Sequence, residues 1–124
     1  ITKKRIINMG YMRHHTIIVC SWNEQLLASV HSEAVTIFDT QVSNIVKSKM
    51  NGYYSFFIAP DGSREGWEDS DEGDKKRNEF IGYLETQKYE DSSTPVAWVE
   101  IQFGDDEGET KIIRDSDLWK RENY

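Results

Sequence analysis

Positive charge, cysteine and long apolar runs are what this sequence is short of. Its 124 residues hold 15 lysines and arginines against 22 aspartates and glutamates, a formal net charge of −7. An acidic total argues against a dedicated nucleic-acid binder, whose affinity rests on neutralising phosphates, so direct nucleic-acid contact is not expected. The one cysteine, Cys20, excludes an intrachain disulfide and any multi-cysteine metal site. No apolar run approaches the roughly 18 residues needed to span a bilayer, and no signal-peptide pattern opens the chain. The expectation is a soluble protein of the cytoplasm with no membrane association. An internal repeat of roughly 20–50 residues is missing too, as is any low-complexity segment.

Large apolar side chains are present in quantity. Four tryptophans, six tyrosines and five phenylalanines supply a core, so global disorder is not expected. The length is that of one domain, since two cores would leave about 60 residues each, near the lower limit for unaided folding. Residues 1–13 carry four positive charges and no negative ones, and methionines stand at 9 and 12. Residues 1–11 therefore read as a basic N-terminal arm or upstream sequence. The domain proper is expected over 12–115, followed by a charged tail over 116–124 in which Leu118 and Trp119 are candidates for packing.

Thr16-Ile17-Ile18-Val19-Cys20 is a continuous apolar, β-branched run, the pattern of a strand covered on both faces. Ser21 and Glu24 have capping-box spacing. Leu26, Leu27, Val30, Ala34, Ile37 and Phe38 then draw one stripe on a helix over about 22–38. Asn51-Gly52 between two apolar segments predicts a hairpin closed by a type I′ turn, with Lys47 and Lys49 on an exposed face near an edge. Pro60-Asp61-Gly62-Ser63 ends the hairpin. A second helix is expected over about 71–87, capped by Ser70, with Asp71, Glu72 and Asp74 in its first turn and Phe80, Ile81 and Leu84 inward. After Pro95, residues 96–103 alternate. Ala97, Val99, Ile101 and Phe103 fall on one side, Val96, Trp98, Glu100 and Gln102 on the other. A turn over 104–108 leads to a last strand over 111–114.

The order is β-α-β-β-α-β with an additional C-terminal strand. It predicts an α+β, ferredoxin-like sandwich with both helices on one face and the fifth strand beside the fourth. The crossover rule is read as placing the first and third strands parallel at the centre. An α+β roll of the same elements is the alternative.

Residue patterns that carry chemistry are sparse. His14-His15-Thr16 would supply one His-x-Thr half of a two-histidine phosphoesterase, but no second copy exists, and adjacent histidines in a strand point to opposite faces. Cys20, closing an apolar strand, reads as a small buried hydrophobe. The acids from Glu68 to Asp74 fail the EF-hand frame, because position 5 counted from Asp69 is Gly73. Tyr53, Tyr54 and Phe56 do not make an RNA-recognition surface, since the first strand has no stacking aromatic. No catalytic residue, metal ligand or cofactor is assigned.

Trp67 stands apart. It sits in a polar segment, 61–74, that holds seven acids and one base, and no periodicity demands it. It is expected either to fold back as a lid over its own domain or to anchor a partner. On the second view, Arg64, Glu65, Trp67, Glu68, Asp69 and Asp71 form the partner-binding surface, the acids speeding encounter with a basic protein. Tyr53, Tyr54, Phe56 and Phe57 cover both faces of their strand, which predicts a homo-oligomer.

Three stretches in combination, His14-His15-Thr16-Ile17-Ile18-Val19, Asn51-Gly52-Tyr53 with Ser55 to Trp67, and Trp98-Val99-Glu100 with Phe103-Gly104-Asp105-Asp106, resemble small hypothetical proteins of tailed phages and prophages. The resemblance covers about residues 12–115 and transfers no active site. It implies a viral accessory protein acting in the host cytoplasm. Such a protein would be a non-enzymatic binder that counteracts host defence by engaging a host protein or sequestering a small, nucleotide-like signalling molecule. Two other classes stay open. One is an acidic nucleic-acid mimic that inhibits a DNA-binding host protein. The other is a metal-dependent enzyme on a ferredoxin-like scaffold.

Overall fold

A computed structural model describes residues 11–122. The expected basic arm therefore lies, but for Tyr11, outside the described residues. Five strands form one sheet: β1 (His14–Ser21), β2 (Val46–Lys47), β3 (Tyr54–Ile58), β4 (Val96–Phe103) and β5 (Lys111–Asp115). Their spatial order is β2-β3-β1-β4-β5, and every neighbouring pair is antiparallel. Three α-helices accompany them: α1 (Glu24–Phe38), α2 (Glu68–Glu85) and the short α3 (Leu118–Glu122). The fold is thus α+β with a five-stranded antiparallel sheet.

The first and third strands do lie side by side, but antiparallel, which corrects the parallel placement. The crossover rule governs strands joined through a helix, here β1 and β2 through α1, whereas the β2–β3 hairpin must reverse direction. β3 therefore slots between β1 and β2.

β1 is the middle strand, and its alternation sets the two faces. Ile17, Val19 and Ser21 point into the core, while Ile18 is exposed on the opposite side. Across the ladders, Phe56 and Ile58 of β3 and Val96 and Trp98 of β4 join the same core face. Leu27, Val30, Ala34 and Phe38 of α1, with Phe80, Ile81 and Leu84 of α2, complete this one cluster. Both long helices therefore cover a single face. Leu26 and Ile37 pack at its margin rather than inside it.

At three points the structure departs from the local sequence signal. Asn23, not Ser21, caps α1, its Oδ1 accepting from Leu26 N at 3.0 Å. The Ser21 hydroxyl donates to the Pro95 carbonyl at 2.8 Å and accepts the Asn23 N–H at 3.1 Å, so it holds the cap residue in place rather than capping the helix itself. α2 starts at Glu68 with Trp67 as cap residue, so Ser70 lies inside the helix, buried. Glu68, Asp69 and Asp71 still place negative charge on the positive end of the helix dipole. Finally, β2 is only two residues long, and Asn51-Gly52 does not form a two-residue turn. The ladder stops at Lys47 opposite Tyr54, and the Ser48 hydroxyl and Asn51 carboxamide each accept backbone N–H groups within the wider loop.

On the far side, β4 and β5 pair with a register shift between Glu100 and Ile101. Arg114 lies opposite Glu100 and Ile112 opposite Ile101, with Ile113 the extra residue of a bulge. Gly104 and Gly108 take positive φ (66° and 77°) in the intervening turn. Gly104 has a second reason to be glycine: a Cβ there would stand 2.5 Å from the His14 ring.

Replacing Leu27 or Leu84, both fully buried, with alanine is expected to cost about 2–5 kcal/mol in urea denaturation, whereas Val35→Ala on the exposed side of α1 should cost under about 1 kcal/mol. Equal losses at the three sites would contradict the helix orientation.

Candidate functional site

The connection between β3 and α2 runs over residues 59–67 and is tied down along its length. The Asp61 carboxylate accepts the backbone N–H and hydroxyl of Ser63, at 2.8 and 2.6 Å. Gly62 and Gly66 adopt φ of 80° and 91°, a left-handed region glycine enters without a Cβ penalty. Arg64 forms an isolated bridge to Met12, and the Glu65 N–H donates to the Tyr11 carbonyl at 2.9 Å. The predicted loop therefore ends at Trp67, and its second half, 68–74, is helix.

That boundary separates the six residues expected to bind a partner. Trp67 is 38 % exposed, and Glu68, Asp69 and Asp71 are exposed on the first turn of α2. These four share one surface. Arg64 is half-buried, and Glu65 turns away from the surface. One Glu65 oxygen accepts from the Ser70 hydroxyl at 2.7 Å, and the other lies 3.3 Å from His15 Nε2 and 3.6 Å from Arg13. It is a brace between β1 and α2.

Behind Trp67 lies a hollow of about 280 Å³ whose walls include Phe38, Asp61, Glu72, Lys76 and Arg77. Gly73 forms part of it, because a Cβ there would sit 2.8 Å from an Asp61 oxygen and 3.1 Å from the Arg77 guanidinium. The glycine lets the loop carboxylate approach the helix. Aromatic surface, carboxylates and two cations thus converge at one end of the molecule.

Arg77 links this hollow to a second one of about 380 Å³, lined by His15, Asp74, Asn78, Glu100, Gln102 and Arg114. Here the core face of the sheet becomes ionic. Glu100 is only 3 % exposed and Arg77 only 6 %. Arg77 Nε lies 3.7 Å from one Glu100 oxygen, and Arg114 Nε donates to the other. Arg114 also donates to Asn78 at 2.7 Å, and Arg77 is paired with Asp74. At the next position along the edge, Arg13 holds Asp105 at 2.9 Å. Partial burial pulls the Arg13 guanidinium down, but the Asp105 hydrogen bond and the nearby negative groups outweigh it and leave its pKa above the ordinary arginine value. Among the described residues, no buried side-chain nitrogen or oxygen lacks a hydrogen-bond partner.

These ionic residues were not singled out from the sequence, although a signal was there. Glu100 and Gln102 share a side with Val96 and Trp98, and that side is the buried one. Arg77 follows Gly73 by four residues and precedes Ile81 by four, on the inward stripe of α2. Polar residues at both apolar periodicities mark an internal ion pair.

The remaining candidates are accounted for locally. His14 and His15 point to opposite faces, His14 against the Phe103 ring at 5.4 Å. His31 meets the Ser43 carbonyl at 2.8 Å and the edge of Phe56. Cys20 is half-buried. Among the described residues, no group of three or more His, Cys, Asp or Glu is placed to hold a metal ion, and no helix is long and apolar enough to cross a membrane. No protein-family model, no curated protein and no solved structure matches this chain.

Arg77→Ala should destabilise the fold by about 3–5 kcal/mol, because Glu100 then loses a buried counter-charge. Arg77→Met combined with Glu100→Leu should recover most of that loss, read as midpoint shifts in urea denaturation. A double variant as unstable as the single one would show that the pair contributes through something other than charge compensation.

Proposed function

We propose that this chain is a small, non-enzymatic accessory binding protein, of the phage or prophage kind that its resemblance implies. On this reading it works in the host cytoplasm and engages a host protein at the N-terminal end of α2. The frame is then ferredoxin-like, β-α-β-β-α-β with β5 added beside β4, and it assembles as a homo-oligomer. The observation that carries the reading is Trp67. It is a large side chain left 38 % exposed on a loop fastened at both ends, beside a hollow and next to Glu68, Asp69 and Asp71. A rigid aromatic with a ring of charge around it is the composition of an interface hot spot. The acids favour a basic partner by raising the encounter rate more than the affinity.

The lid alternative would have Trp67 shielded by its own domain, and its exposure favours the anchor. The ionic network does not compete for the role. Its carboxylates and guanidiniums are matched to one another, which suits a scaffold better than a site that must take up charge from a substrate.

A second reading keeps the same location. Lys76 shares the hollow with the Trp67 ring, a combination that can stack a base and neutralise a phosphate. Sequestration of a nucleotide-like signal would use this hollow, and native mass spectrometry of the purified protein would detect it as a fixed added mass.

Trp67→Ala is expected to weaken binding to the protein captured from host lysate at least tenfold while shifting the melting temperature by under about 2 °C. A fall of several degrees, with binding lost only in step with unfolding, would make the tryptophan structural and sink the proposal.

A further inference from the structure

Among the described residues, the face of the sheet opposite α1 and α2 is left open except at its Cys20–Ala97 end, where Trp119 and Lys120 of α3 stand beside it, and its chemistry differs from that of the rest of the surface. Register places Thr16 and Ile18 of β1, Phe57 of β3, Val46 of β2, Ile101 and Phe103 of β4 and Ile112 of β5 on it. No lysine, arginine or glutamate of the strands points to this side, in a chain whose charged residues make up 30 %. Its single carboxylate, Asp115, is at the end of the edge strand and is held by Arg121 at 3.0 Å. Ile112 is 66 % exposed and Val46 65 %.

The relief of this face is uneven. Near the β2–β3 side is a hollow of about 420 Å³, walled by Thr16, Ile18, Ser43, Val46, Phe57 and Phe103. At the opposite edge, Ile112 stands up as a knob. Both lie at one height along the strands, because Ile112 pairs with Ile101, which pairs with Thr16.

We infer that two copies of this chain pack through these faces, about a two-fold axis parallel to β1. β1 is the middle strand of five, so that axis exchanges the edges. It lays β5 of each copy over β2 and β3 of the other without changing height along the strands. Each Ile112 then enters the partner's hollow, twice per dimer, as an isologous contact requires. An axis perpendicular to the strands would instead stack β5 on β5 and leave both hollows empty. Five strands at about 4.8 Å spacing and roughly six residues of length offer roughly 500 Å² per copy, hence roughly 1,000 Å² for the pair, the lower bound for a specific interface. Edge-to-edge pairing is the poorer choice, since β2 offers only two residues of ladder and the bulge interrupts β5 at the other edge.

This dimer rests on the sheet alone and not on the reading of the Trp67 surface. Salt separates the two. Two copies carrying −7 each repel through solvent while their contact bears almost no charge, so raising sodium chloride from 50 to 500 mM should tighten the dimer. Capture of a basic partner by the acids around Trp67 should weaken over the same range.

Sedimentation equilibrium between 1 and 100 µM is expected to show a reversible dimer. Ile112→Glu should raise the dissociation constant at least tenfold, while Met50→Glu, on the hairpin loop away from this face, should not change it. Thermal melting of the monomer at 1 µM checks that Ile112→Glu still folds. In a Cys20→Ser background, Ser43→Cys, in the wall of the hollow, mixed with Ile112→Cys should cross-link at least tenfold faster than either variant alone. A monomer at 100 µM in the parent chain would overturn the inference. So would fast cross-linking of Ile112→Cys with itself, which belongs to the other axis. A monomer that binds an apolar dye, with Val46→Glu in the wall of the hollow abolishing the signal, would assign the hollow to a small ligand and overturn it as well.

Discussion

A carboxylate almost sealed from water must be answered by positive charge, and at Glu100 the answer comes from two directions. Arg77 reaches it from α2, and Arg114 reaches it from β5. Burying ions costs several kcal/mol each unless geometry and further hydrogen bonds compensate, so these groups fix one relative position of helix and strands. Asp74 and Asn78 extend the constraint along α2, and His15 with Glu65 carries it to the loop. The end of the sheet that holds the α2 N-terminus is therefore set by charge. The other end, around Trp98, Val96 and Leu84, is set by apolar packing, with the Ser21–Pro95 and Trp98–Ser116 hydrogen bonds beside it.

This division of labour shapes the surface. With α1 and α2 on one side, the sheet has a dry face and an open face, and the ionic cluster belongs wholly to the covered one. Where a carboxylate such as Glu65 is spent on bracing, its neighbours Glu68, Asp69 and Asp71 are left outward. Trp67 sits where bracing ends and exposure begins. The loop glycines, Gly62 and Gly66, allow the abrupt reversal that presents it.

Much of the frame was legible because periodicity reports burial directly. The bounds of β4 followed from its alternation after Pro95, and the inward residues of α2 followed from spacing. What escaped depended on competition between partners. Ser21 and Ser70 both have cap-like chemistry, but Ser21 lies two residues before the cap, between the Pro95 carbonyl and the Asn23 N–H, and Ser70 lies within the first turn, donating to Glu65. Asn51-Gly52 has a turn signature, yet β2 is too short to impose hairpin register on it. In the candidate site, Trp67 was legible because nothing local explained it. Arg77 and Glu100 were not, because their partners are brought together only by tertiary packing.

The single extra residue in β5 has a consequence for what this strand can do. In a regular strand, positions 112 and 114 point the same way, since side chains repeat every two residues. The bulge at Ile113 breaks that parity. Arg114 turns under the helices toward Glu100, while Ile112 rises on the open face. Five residues thereby serve both sides of the sheet, one side with charge and the other with hydrocarbon. The turn before β5 can change length at little cost, for it lies outside the ladder. Between 112 and 114, with Ile113 present, the bulge must be kept. Flattening it, so that Ile113 paired in the ladder, would put 112 and 114 on one face and force a choice between a carboxylate buried without its outer cation and an open face without its most prominent side chain.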